Sequence, residues 1–104
     1  MYHVCDMTKE ARADEIVKHA IGPIFDAHTG DGKLTSWGWS THIVGGKYRK
    51  LSTMTAADWP TLFATRAAIF ADLADNVLAE EFSEICGSHS DYMWDIKHER
   101  VPGQ

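Results

Sequence analysis

Residues 34–44, Leu-Thr-Ser-Trp-Gly-Trp-Ser-Thr-His-Ile-Val, form the longest strand-like run in the chain and hold two of its four tryptophans. Trp37, Trp39, Thr41 and Ile43 fall on one side of a period-two pattern; Leu34, Ser36, Gly38, Ser40, His42 and Val44 fall on the other. The first side is bulky and mostly apolar, while the second mixes small, hydroxyl and imidazole groups. A strand over the whole run would be about 35 Å long, well above the usual length, so a bend is expected and Gly38 is its natural place. A long curved strand of this kind can wall a cavity.

The segments around it supply partners. Gly45-Gly46 reads as a hairpin turn, where glycine takes positive φ without steric cost, and Tyr48 to Thr55 reads as the return strand. Upstream, residues 2–7 read as a short first strand of mixed pattern. Residues 10–27 read as a helix, with Ala13, Ile16, Val17, Ala20 and Ile24 at three- and four-residue steps. Gly22-Pro23 interrupts that helix and predicts a kink or restart, because a proline inside a helix removes a hydrogen bond. Residues 28–33 are a polar connection. Downstream, Asp58-Trp59-Pro60 is a helix start, an Asp cap with Pro in the first turn. That helix is expected to gather Leu62, Phe63, Ala67, Phe70, Ala71 and Ala74 on one face. A second helical piece covers 77–86, with Gly87 just past its end. Ser88-His89-Ser90 reads as a polar link, 91–98 as the last strand and 101–104 as a loose tail.

The order is strand, helix, strand, strand, helix in two pieces, strand. The chain of 104 residues is read as one domain, 1–104. The fold class that follows is α+β: a ferredoxin-like βαββαβ unit with a four-stranded antiparallel sheet and both helices on one face. Large apolar groups lie on both alternating faces of the strands, so the uncovered face reads as an association site. A two-fold pairing of sheets would cover it.

This element order, the chain length and the stretch Trp37-Gly38-Trp39 with His42 resemble the dimeric α+β barrel superfamily over roughly residues 2–98. The resemblance implies a homodimer joined through the sheet face, and a cavity between sheet and helices. It does not choose among that superfamily's reactions, which include cofactor-free monooxygenation, haem degradation and isomerisation.

Composition narrows the partners. A net charge of −5 argues against nucleic acid, which needs a basic face to neutralise phosphates. No run reaches the ~20 apolar residues of a membrane span. The N-terminal residues lack the basic and apolar regions of a signal peptide. Cys5 and Cys86 have no framework spacing; they can pair, but the plain reading is a cytoplasmic chain with reduced, inert thiols. Asp6, Asp91 and Asp95 beside His3, His89 and His98 lack any metal-ligand spacing, so they read as solvated strand ends and no metal or cofactor is expected.

His42 is the expected acid or base, because its small neighbours Ser36, Gly38 and Ser40 leave room for a ligand near an imidazole. Trp37, Trp39, Tyr48 and Trp94 are the expected shaping groups of an apolar pocket, and Arg66 a group that can hold a carboxylate there or pair with Asp72 or another acid at the surface. The functional expectation is a small lipophilic ligand, with a cofactor-independent monooxygenase or proton-transfer reaction if there is chemistry. The alternatives are a lipophile-binding or sensing module and a haem-handling protein.

Overall fold

Three hydrogen-bonding ladders and two helical runs define the architecture of the computed structural model, which describes residues 1–102. The strands are β1 (Tyr2–Val4), β2 (Ser36–Thr41), β3 (Lys50–Thr55) and β4 (Ser88–Ser90); the helices are α1 (Glu10–Ile16), α2 (Gly22–Gly30), α3 (Trp59–Leu73) and α4 (Val77–Ile85). The sheet runs β2-β3-β1-β4 with every neighbouring pair antiparallel. The fold is therefore α+β, with a four-stranded antiparallel sheet. The loose tail expected at 101–104 falls, for Gly103 and Gln104, outside the described residues.

The β2–β3 ladder pairs Trp37 with Met54, Trp39 with Ser52 and Thr41 with Lys50. Directly opposed residues share a face, so Trp37, Trp39, Ser52 and Met54 stand together. They face the helices: Trp37 stacks on Phe25 of α2 at 5.1 Å, and Trp39 meets Phe82 of α4 at 5.5 Å. The core between sheet and helices is built from Ala13, Ile16, Val17, Ile21, Phe25, Leu34, Ile69 and Ile85.

The first helical run continues past Pro23 to Gly30, three residues beyond the expected end, and its irregularity falls just before Pro23. Residues Val17–Ile21 open into a π-helical turn, and the Gly22 N–H bonds the carbonyl five residues back, at Val17. Such a widened turn inserts an extra residue into the helix and accommodates the missing proline donor. A side chain at position 22 would have its Cβ 2.7 Å from the Val17 oxygen and 3.1 Å from the Trp37 ring, so glycine there permits the close approach of β2.

Several expectations need correction. β2 covers Ser36–Thr41 rather than 34–44, and β3 starts at Lys50. The ladder ends because the Arg49 N–H turns to the His3 carbonyl of β1, and residues between 42 and 49 form a long loop instead of a two-residue turn. The last strand is Ser88–Ser90, not 91–98. Cys5 and Cys86 are joined as a disulfide, which overturns the reading of reduced thiols and sets the chain after α4 beside β1. Residues 88–90 then fall into register with 2–4. Finally, α3 buries Thr65 and Ile69, while Phe63 and Phe70 sit on its more exposed side. The expected face was displaced because Phe63 stacks on Trp59 and Phe70 lies under the Arg66 guanidinium.

On the sheet's far face Tyr2 packs against Tyr48 and Tyr92. The chain after β4 thus crosses part of this face as an extended segment, anchored by the Trp59 indole N–H on Asp95. A hollow of about 820 Å³ lies here, bordered by Leu51, Thr53, Trp59, Tyr92 and Trp94 among others.

Candidate functional site

A cavity of about 550 Å³ lies between the sheet and the helices. Its sheet wall is His3, Trp37, Trp39, Ser52, Met54 and His89. Its helix wall is Val17, Ile21 and Phe25 from the first run, Ile69, Phe70 and Leu73 from α3, and Ala79 and Phe82 from α4. Arg66, Asp75, Glu80 and Glu84 also border it. A cavity of a few hundred cubic ångströms, largely apolar with a few polar groups, is the usual form of a small-molecule site.

Both indoles are held from outside the cavity. The Trp37 Nε1–H donates to Asp26 at 2.8 Å, and the Trp39 Nε1–H donates to Asp14 at 2.8 Å. With their one donor satisfied, the rings offer only apolar surface to the interior. Asp14 also receives the ammonium of Lys50 at 2.8 Å. Burial works against the Asp14 charge, but the bonds from Lys50 and Trp39 hold its carboxyl below the ordinary value. Lys50 itself is 3% exposed and also reaches Thr41 Oγ1 at 2.5 Å.

His3 is the principal polar group of the sheet wall. It is 4% exposed, and the rings of Trp39, Phe82 and His89 each lie 5.6 Å from its own. Its Nε2 is 2.9 Å from Ser52 Oγ, and its Nδ1 has no hydrogen-bond partner. Burial lowers its pKa from 6.5 to about 4, with help from the nearby terminal amino group and His89. The ring is therefore neutral near pH 7, with one nitrogen a donor and the other an acceptor.

Next to it runs a charged chain. His89 Nδ1 lies 2.6 Å from Asp91 Oδ1, and Arg66 donates to Asp91 Oδ2 at 2.8 Å. Burial disfavours the Asp91 charge, yet the bonds with His89 and Arg66 keep its carboxyl below the usual range. Arg66 therefore pairs with Asp91, not with Asp72, which instead meets His28.

The sequence-predicted residues divide by location. Trp37, Trp39 and Arg66 come together around the cavity. His42, Tyr48 and Trp94 do not border it. His42 sits in the β2–β3 loop with Nδ1 2.6 Å from the Tyr48 carbonyl oxygen and Nε2 against Arg49, which in turn forks onto Glu10. Tyr48 lies on the far face, its hydroxyl 3.0 Å from Ser90 Oγ. Trp94 is 73% exposed and stacks on Tyr92 beyond β4. Sequence reasoning missed His3 and Ser52 as a pair. The available signal was weak: one imidazole in a short strand of mixed pattern, and one hydroxyl in the return strand. Among the described residues no group of three or more His, Cys, Asp or Glu is placed to hold a metal ion. No helix among them is long and apolar enough to cross a membrane. Comparison with protein-family models, curated proteins and solved structures gave no match for this chain.

Proposed function

We propose that the chain binds a small lipophilic molecule in the cavity between its sheet and its helices. The observation that carries this reading is the wall itself. Two tryptophans with satisfied N–H groups, three phenylalanines and several aliphatic side chains border about 550 Å³, a volume suited to a ligand of modest size. Isothermal titration with naphthalene tests it: saturable binding with one site per chain is expected, and its absence overturns the reading. Native mass spectrometry of the protein as purified is expected to show a retained organic molecule. A Soret band instead would favour the haem-handling alternative.

The same reading includes a ferredoxin-like subunit and a homodimer of the α+β barrel kind. The strand order β2-β3-β1-β4 and the two crossovers, through α1–α2 and through α3–α4, support the subunit. Exposed Tyr92, Met93, Trp94 and Ile96 beyond β4 support the dimer, because a contiguous apolar segment in water favours association. Sedimentation at micromolar concentration is expected to give a dimer; a stable lone subunit removes this part. Chemistry on the ligand, as a cofactor-independent monooxygenase or proton-transfer enzyme, is secondary to binding, since His42 lies in a loop away from the cavity. The Cys5–Cys86 disulfide favours an oxidising compartment over the cytoplasmic setting expected from the sequence.

A further inference from the structure

We infer that His3 and Ser52 form the polar end of this cavity and receive the neutral hydroxyl or carbonyl head of an amphipathic lipophile, with carboxylate ligands disfavoured. The inference rests on the cavity reading above and adds the chemical class of the ligand.

Hydrogen bonding supplies the first argument. His3 and Ser52 both line the cavity, and they are joined by a single contact of 2.9 Å. His3 Nδ1 has no partner in the protein. A buried polar atom left unpaired costs about 1–3 kcal/mol, so a ligand group that completes the pair is favoured. The pair is also adaptable. A neutral imidazole exists in two tautomers, and a serine hydroxyl rotates. If Ser52 donates to Nε2, then Nδ1 carries the hydrogen and the pair has a donor to offer. If Nε2 donates to Ser52, then Nδ1 is an acceptor. An alcohol, a phenol and a ketone each suit one of these states.

Charge supplies the second. An anionic head needs a border whose positive charge is not already matched by acidic groups. Arg66 and His89 both bond to Asp91. The Met1 ammonium also borders the cavity, but it donates to the Ser52 carbonyl and burial lowers its pKa from the ordinary 8.0. The other charged residues at the border, Asp75, Glu80 and Glu84, are acidic. His3 is neutral, because burial among aromatic rings disfavours its protonated form. Among the described residues bordering the cavity, Asp75, Glu80 and Glu84 thus outnumber the cations Met1 and Arg66, and a carboxylate head meets like charge. Moving an unpaired carboxylate into an apolar enclosure is far more costly than moving an uncharged hydroxyl.

A matched series with one apolar body tests this by isothermal titration near pH 7.5: naphthalene, 2-naphthol and 2-naphthoate. In the unmodified protein 2-naphthol is expected to bind about fivefold more tightly than naphthalene, the ratio one net hydrogen bond gives. The 2-naphthoate ion is expected to bind at least about tenfold more weakly than 2-naphthol. Ser52→Ala should bring 2-naphthol to within about twofold of naphthalene measured on the same variant, and His3→Gln gives an independent check on the same pair. Equal binding of naphthalene and 2-naphthol, or 2-naphthoate as tight as 2-naphthol, overturns this inference and leaves the cavity reading standing. No binding by any of the three overturns both.

Discussion

His3 lies in β1 against the helices, enclosed by Trp39, Phe82 and His89, whereas His42 lies in the β2–β3 loop beside Tyr48 and Arg49. One imidazole stands in the sheet and the other in the loop that joins two of its strands, and they differ in what surrounds them. His42 has both ring nitrogens engaged, one by a backbone carbonyl and one by a guanidinium that is itself tied to Glu10. Those bonds close the loop and leave the ring little to offer a ligand. His3 has one nitrogen engaged and one open, in a place water does not reach. The difference teaches that a histidine's usefulness in a site follows from unmet hydrogen-bonding capacity in an enclosed place, more than from roomy neighbours along its own strand.

The sharpest way to break the comparison is to release the strand that holds His3. The Cys5–Cys86 bond spans 81 residues and ties the end of β1 to the end of α4. For a closed loop of that size the chain-entropy argument gives about 4 kcal/mol of stabilisation. Urea unfolding of oxidised and reduced protein is expected to differ by about that amount, a large share of a domain's 5–15 kcal/mol. Hydrogen exchange on the reduced protein should show the amides of β1 and β4 losing protection before those of β2 and β3. Uniform loss across the sheet would mean that the two histidines belong to one cooperative unit and that the staple has no local role.

Acid offers the next largest effect. An unfolded chain protonates histidine at the ordinary value of 6.5, whereas folded His3 takes its proton near 4. Between those values the unfolded state binds more protons, so stability falls as pH drops from 6.5 towards 4. The shift corresponds to at most about 3 kcal/mol. His3→Gln is expected to flatten the stability profile over that window. The acid sensitivity left in that variant should lie lower, where Asp14 and Asp91 take protons below their ordinary values. An unchanged slope in His3→Gln would show that the buried imidazole is not the sensor.

Much of the cavity's apolar wall was legible in the sequence, and its polar end was not. The alternation that sets Trp37 and Trp39 on one side needs only a strand to become a wall. The stripe Ala13, Ile16 and Val17 needs only a helix to become its cover. Local chemistry also marked the helix starts: Asp58 accepts the Thr61 N–H, and Asn76 accepts from Leu78 and Ala79. β4 was hidden because Ser88, His89 and Ser90 carry no strand pattern. They pair because β1 presents a free edge and the disulfide brings the chain beside it. Residues 91–98 carry the alternation without a strand: Tyr92, Trp94 and Ile96 fall on one side of it but stay exposed past the last ladder. Register across the sheet, which places Ser52 near His3, is a tertiary fact with no signature in either short segment.

The smallest effect belongs to His42→Ala. The loop around it has independent supports, since the His42 N–H already bonds the Arg49 carbonyl and Arg49 keeps its two-pronged contact with Glu10. Removing the ring deletes its bond to the Tyr48 carbonyl, which is close enough to water to find another partner. The cost is expected to be about 1 kcal/mol or less, read as a small shift in the urea midpoint. Affinity for 2-naphthol should be unchanged, because the ring borders neither the cavity nor any group that does so through a hydrogen bond. Loss of 2-naphthol binding in His42→Ala would put the ligand at the hairpin loop instead and reverse the ranking of the two histidines.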